Sequence, residues 1–392
     1  MGFDVVMGSY RPDIILGRGG SDSISDGDER GDSVWANDTL VGGDGEDLFF
    51  AGRGNDTIWG GNEGEEIDQA GNGEDQISYL VSGAARITLT FNGTQQDSND
   101  LPFLTAASAD IDTDTLYAIE RIVLTDETDY FYYSGSIPED YRLTIDFAGG
   151  EDDVLNGGQA AEGMEVLIDA QGNGTLSDTE EPTLRHIDLL HVHTQIIGSA
   201  YDDTITDSAA GGKRIDGGAG DDAITVGGNG SLVYGGAGDD MLQGGDGCDL
   251  LVGGAGNNAL FGGGGTDILI CGAGAASEAD VEMLDGGAGS DLLLSTGSRP
   301  SVTMRGGGGN DVIDARLNAA GVTLEFGAGD GRDTIEGEGW QGGDPTLENA
   351  DFSWSFGVAA VDFTASPGAT SPSAGTCGSP TSRTASSTPM AA

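Results

Sequence analysis

Oxygen donors recur through this chain at a fixed interval. From Gly217 to Ile270 the residues read GGAGDDAIT, VGGNGSLVY, GGAGDDMLQ, GGDGCDLLV, GGAGNNALF and GGGGTDILI, a period of nine. Aspartate fills the sixth place at Asp222, Asp240, Asp249 and Asp267, and an aliphatic residue fills the eighth in every copy, from Ile224 to Leu269. Glycines precede the aspartates: Gly217, Gly218 and Gly220; Gly235, Gly236 and Gly238; Gly244, Gly245 and Gly247; Gly262, Gly263 and Gly265. Glycine permits positive φ and lets carbonyls face inward without Cβ clashes. A carboxylate beside such carbonyls, with neither sulfur nor imidazole, is a site for a hard cation. Ca2+ suits it, because that ion takes about six to eight oxygens in flexible geometry, whereas Mg2+ demands a tight octahedron.

The same unit appears elsewhere. GRGGSDSIS (17–25), GGDGEDLFF (42–50), AGRGNDTIW (51–59), GGNEGEEID (60–68) and AGNGEDQIS (70–78) place Asp22, Asp47, Asp56, Glu65 and Asp75 at the sixth position. GSAYDDTIT (198–206), GGAGSDLLL (286–294), GGGGNDVID (306–314) and AGDGRDTIE (328–336) do the same for Asp203, Asp291, Asp311 and Asp333.

These donors must be positioned by an element half turn and half strand. The last three residues of a copy are extended, so the eighth side chain points inward and its neighbours outward. Two copies make a coil, and stacked coils pair their strands about 4.8 Å apart. Turns on one edge then alternate, so an ion is shared between a copy and the next but one. The expected pairs are Asp222 with Asp240, Asp249 with Asp267, Asp56 with Asp75, and Asp47 with Glu65. Each copy fixes nine residues but buries one aliphatic side chain, and its carboxylates repel one another. Calcium is therefore expected to be a condition of folding.

The pattern resembles the RTX, or hemolysin-type calcium-binding, repeat family, whose GGxGxDxUx unit is a known β-helix repeat. The resemblance implies an all-β, right-handed parallel β-roll, a β-solenoid of stacked nonapeptide coils with longer irregular coils in the middle. It also implies calcium between the turns and one-step type I export of an unfolded chain from a Gram-negative cell. Ser231, Asn258 and Glu65 replace the sixth aspartate, so those sites are expected to be weak. The family's carboxyl-terminal export signal is not recognisable.

The organisation follows the repeats. We expect a first calcium-binding block at 1–78, irregular coils or an inserted β region at 79–197, and a second block at 198–336. Capping strands at 337–363, with Phe352, Trp354 and Phe356 on one face, and a disordered Ser/Thr/Ala-rich tail at 364–392 complete the chain. Repeat fragments such as AGGEDDVLN (148–156) favour degenerate coils in the middle over a separate domain.

Composition bounds the function. The 392 residues carry 67 acidic and 15 basic side chains, a formal charge of −52, which repels nucleic acid and anionic membrane. The 71 glycines lack a collagen triplet. No basic segment followed by an apolar run opens the chain, and no stretch is long and apolar enough to span a membrane. Cys248, Cys271 and Cys377 make no disulfide framework; Cys248 and Cys271 fall on opposite edges and are expected to be unbridged.

Other constellations carry two readings each. DAQGNGTLSDTE (169–180) places Asp169, Asn173 and Glu180 as in an EF-hand loop, but Gln171 departs from it and Pro182 leaves no second helix. The alternative is an acidic turn between strands. His191 and His193 can share a strand face, as a metal pair or as solvated residues, and His186 is the only other histidine. Tyr130 to Tyr133 is a sugar-stacking face or, alternating, core and exposed tyrosines. No nucleophile elbow, P-loop or zinc-protease motif is present. A non-catalytic, secreted structural or interaction module is the expected function. The alternatives are the repeat-bearing part of a secreted hydrolase and a surface adhesin or surface-layer component.

Overall fold

The computed structural model describes residues 3–9, 11–25, 36–50, 52–61, 74–80, 86–96, 102–108, 112–135, 137, 142–150, 152–178, 186–192, 195–228, 230–272, 281–296, 301–314, 322–326, 333–336 and 350–354. Every regular element among them is a β-strand. Glu65, Glu180, His193, Phe356, Cys377 and the 364–392 tail lie outside the described residues. The strands fall into two compact units, Met1–Ala200 and Tyr201–Ala392.

In the second unit the pairing is parallel throughout. One ladder runs Thr204–Asp207, Ala223–Val226, Met241–Gln243, Ala259–Gly265, Val281–Gly289, Ser301–Arg305, Val322–Phe326 and Ala350–Trp354. The other runs Arg214–Ala219, Leu232–Ala237, Leu250–Ala255, Ile268–Ile270, Leu292–Leu294, Val312–Asp314 and Thr334–Glu336. Successive strands alternate between ladders, which is the β-roll expected from the nine-residue period. The eighth residues Ile224, Val233, Leu242, Leu251, Leu260 and Leu269 are all buried, and they stack into a core one side chain wide per strand. Phe352, an expected cap residue, pairs with Leu324 in the strand Ala350–Trp354.

The first unit opens the same way. Val5–Met7, Ser23–Ser25, Leu48–Phe50, Gln76–Ser78, Arg121–Val123, Arg142–Asp146 and His186–Leu190 form one parallel ladder. Ile14–Gly19, Thr39–Asp44, Thr57–Trp59 and Asp112–Tyr117 begin the other. Here two antiparallel excursions interrupt the roll. Pro102–Ser108 lies antiparallel between Asp112–Tyr117 and Thr88–Gln96, after which Tyr130–Gly135, Val154–Ala160 and Gln195–Ile197 resume parallel pairing. Met164–Ile168 and Gly174–Asp178 form a hairpin whose second strand runs antiparallel to His186–Leu190. Within the roll coils the core thickens with aromatics: Phe49, Phe91, Phe131, Tyr79 and Tyr133 are fully buried. Phe131 and Tyr133 point inward, while Tyr130 and Tyr132 stack on the outer face with ring centroids 6.3 Å apart.

Candidate metal centre

Three glycines open a turn such as Gly217–Asp222, and they are needed for two different reasons. The second and fourth, Gly218 and Gly220, have φ of 105° and 123°, the left-handed region that costs other residues strain. The first, Gly217, is not in that region. A Cβ there would lie 2.3 Å from Asp222 Oδ2 and 2.6 Å from the Gly235 carbonyl of the next coil. The same two oxygens converge at 2.3 and 2.6 Å for Gly235, on Asp240 and the Gly253 carbonyl. At Gly244 the oxygens are those of Asp249 and Gly262, at Gly262 of Asp267 and Gly286, and at Gly286 of Asp291 and Gly306. The first glycine thus keeps a niche open where a carboxylate oxygen meets a carbonyl oxygen.

The sixth residue is held by its neighbour one coil away. Asp240 Oδ1 accepts the Asp222 N–H at 3.0 Å, and Asp267 Oδ1 accepts the Asp249 N–H at 2.8 Å. These are the two pairs the spacing predicts in the second block. Their ladders continue. Asp222 receives the Asp203 N–H, Asp291 that of Asp267, Asp311 that of Asp291, and Asp333 that of Asp311. One carboxylate oxygen is spent in this way. The other, Oδ2 of Asp222, Asp240, Asp249, Asp267 and Asp291, is buried without a hydrogen-bond partner. In the first unit Oδ2 of Asp22 and Asp47 is in the same condition.

The first block corrects the expected pairing. Asp47 N–H bonds Asp75 Oδ1 at 2.8 Å, and the expected partner Glu65 lies outside the described residues. Asp56 sits on the opposite edge, between Asp38 and Asp114, and does not pair with Asp75. The reason is parity. Thr57–Trp59 lies in one ladder and Gln76–Ser78 in the other, so Asp56 and Asp75 stand on opposite edges.

Two ladders emerge that glycine spacing marks only in part. Asp4, Asp22, Asp47, Asp75 and Glu120 line one edge, and Asp13, Asp38, Asp56 and Asp114 the other. Asp129 and Asp153 continue the pattern, with the Asp129 N–H on Asp153 Oδ1 at 2.8 Å. A recurring Asp-Thr-Leu or Asp-Thr-Ile signals several of these, at 38–40, 56–58 and 114–116. At 38–40 and 114–116 it is the strand half of the repeat without its glycines.

Burial shapes the electrostatics. Removal from water pushes the carboxyl of Asp47, Asp240 and Asp249 up to about 6, Asp267 to about 7, and Asp75, Asp222 and Asp291 to about 8. The backbone N–H that each accepts pulls the other way. Neighbouring carboxylates then push Asp75, Asp222 and Asp291 further up. A buried anion with an unused lone pair calls for a proton or a cation.

The donor set fits calcium. Among the described residues no three His, Cys, Asp or Glu side chains converge on one point. Side chains alone therefore make no cage, and backbone carbonyls must complete the shell. An all-oxygen site of carboxylate plus glycine carbonyls is what a hard ion of high coordination number requires. Asp22, Asp47, Asp222, Asp240, Asp249, Asp267 and Asp291, with the first glycines before them, are the residues that would hold it.

The broken positions differ from the intact ones. Asn258 Oδ1 accepts the Asp240 N–H at 2.9 Å, but its Nδ2 is buried with no acceptor. Ser231 keeps the ladder bond to Asp249 and offers no carboxylate. One step earlier, Lys213 occupies the sixth position, and its ammonium lies 3.5 Å from Asp207 Oδ2 inside the protein. This turn carries its own cation.

The remaining candidates lie elsewhere. Asp169 caps the hairpin turn, accepting the N–H groups of Gln171 and Asn173 at 2.8 and 3.0 Å, and Asn173 Oδ1 accepts the His191 N–H. The segment is an acidic turn between strands. His191, at φ 56°, bonds Asp146 at 2.7 Å. Burial raises the Asp146 carboxyl, but His191, the Ala148 N–H and Arg121 together hold it below the usual range. Cys271 is buried and carries no disulfide, its Sγ accepting the Thr296 N–H, so it is not bridged to Cys248; Cys248 is itself disulfide-bonded, against the expectation that the cysteines stay unbridged.

Four stretches, 1–28, 33–63, 234–269 and 301–317, match the family model of the RTX calcium-binding nonapeptide repeat. No curated protein matches the chain. No helix among the described residues is long and apolar enough to cross a membrane.

Proposed function

From the premise that this is a chain of RTX calcium-binding nonapeptide repeats, we propose that it is a secreted, non-catalytic module whose coils order when calcium enters the turns. The observation that carries the reading is the series of buried Oδ2 atoms without partners, each beside a glycine carbonyl of the next coil. Divalent charge placed there neutralises carboxylates that otherwise oppose stacking. It also ties one coil to the next, which a core one side chain wide does weakly. The formal charge of −52 keeps the calcium-free chain extended. Such a chain suits export before folding into a medium rich in calcium. The finished roll then serves as a structural or interaction surface.

Circular dichroism at pH 8 tests this, with and without a calcium chelator. A β signal that appears only with calcium, and not with magnesium, is expected, with several ions bound per chain by calorimetry. An equal β signal in the chelator ends the proposal.

A further inference from the structure

The two faces of the second unit differ in a way the calcium turns do not explain. In the ladder from Leu232–Ala237 to Val312–Asp314, each strand buries its central residue and turns the flanking ones outward. One outward row runs Leu232, Leu250, Ile268, Leu292 and Val312 in register. The second row, two residues on, is Tyr, Val, Ile and Leu from Tyr234 to Leu294. None of these side chains faces the core, and Ile268 is 37% exposed. The opposite ladder is mixed at the same positions, with Thr225, Gln243, Asp285 and Arg305 among its outward residues. The other eight side chains of the two rows are half-buried, and together they form one continuous outward aliphatic strip.

We infer that this aliphatic face is a self-association surface, on which a second copy of the chain docks face to face. The inference rests on the calcium-ordered fold proposed above, because the face exists only once the coils are stacked. Two features select a second copy. The side-chain rows repeat at the strand spacing of about 4.8 Å, and an identical ladder is complementary to that period. The rows also begin with opposite charges: Arg214, exposed, in the first row and Asp216 in the second, on one strand. A two-fold axis along the stacking direction lays the first row over the second row of the other copy. It thereby sets each Arg214 against the Asp216 opposite, an isologous contact. Asp314 closes the patch at the far end.

The patch is small. Five rungs at the strand spacing give a strip about 24 Å by about 10 Å, roughly 250 Å2 per copy. Stable interfaces bury about 800 Å2 per partner. The pairing is therefore weak and reversible, and it appears at high concentration when calcium has neutralised the turns.

Sedimentation equilibrium of the full chain in excess calcium, across a wide concentration range, tests it, with circular dichroism on the same samples. The mass should rise toward twice that of the chain. Ile268→Thr with Leu292→Thr should shift the midpoint upward by about tenfold or more. Met241→Thr, on the opposite ladder, should leave it unchanged. Arg214→Asp should weaken association, and adding Asp216→Arg should restore it. A monomer at every concentration with the full calcium-dependent β signal overturns the inference and leaves the calcium reading standing. A dimer untouched by the Ile268 and Leu292 changes, or by the charge reversal, also overturns it. A β signal that ignores calcium overturns the calcium reading instead.

Discussion

Asn258 offers the sharpest test, because one atom separates it from its working counterparts. Its Oδ1 keeps the ladder bond to Asp240, while its Nδ2, buried and without an acceptor, takes the place of a carboxylate oxygen. A Cβ on Gly253 would lie 2.7 Å from that Nδ2, much as one on Gly235 would meet Asp240 Oδ2. Asn258→Asp preserves shape and the ladder bond. It removes an unsatisfied donor worth about 1–3 kcal/mol and adds a buried negative charge. The neighbouring Asp240 shows what that charge meets, since burial pushes its carboxyl up to about 6. Without an ion the new carboxylate costs on the order of a few kcal/mol at pH 8. With one bound it adds about 1.4 kcal/mol of stability per tenfold rise in free calcium, by mass action. The variant's stability should therefore cross that of the parent, lower at scarce calcium and higher at abundant calcium. Urea unfolding at a series of buffered calcium levels measures the slope, and calorimetry counts the ions. The expected results are one more ion and a steeper slope, with Asp240→Asn giving the reverse. If Asn258→Asp is less stable at every calcium level, the niche beside the first glycine is not a calcium position.

Four further outcomes follow from the same geometry. Gly235→Ala should lose at least one calcium and on the order of 1–3 kcal/mol by overpacking, since its Cβ would meet two oxygens. Gly211→Ala, where φ is 123° and nothing lies within 4 Å, should cost about 1–2 kcal/mol of backbone strain and no ion, both read by calorimetry and urea unfolding. The carboxyls of Asp75, Asp222 and Asp291 stand at about 8 when folded, above their ordinary 3.8. Their contribution to folding is complete below 3.8 and lost as pH rises through about 8, so the metal-free chain should gain β signal when acidified from pH 8 to pH 5 in chelator. Circular dichroism that stays flat over that range contradicts the burial. Lys213→Met leaves Asp207 buried without its ammonium and should cost about 3 kcal/mol or more in saturating calcium at neutral pH. Urea unfolding curves of the variant and the parent decide it.

What the residue pattern reveals depends on which force each residue answers to. The strands and the inward aliphatics are readable because one residue in nine must be apolar, and Ile224, Leu242 and Leu260 report that directly. The positive-φ glycines are readable for the same local reason. The pairing of carboxylates is not local. It depends on which edge a turn occupies, and hence on how many strands lie between two aspartates. A turn lengthens at little cost, because closure entropy grows slowly with length. Asp75 accordingly stands on the edge of Asp47 and not on that of Asp56. Ladder membership is looser still. Asp114 and Glu120 need only an acceptor one coil above a backbone N–H, and no glycine is required for that. The glycines therefore mark where an ion can sit, while the wider ladder of carboxylates marks where coils are stitched to one another. On the function proposed, only the positions that satisfy both, such as Asp222 and Asp240, would couple calcium to the stacking. Asn258, which stitches without offering a second oxygen, separates the two roles in a single residue.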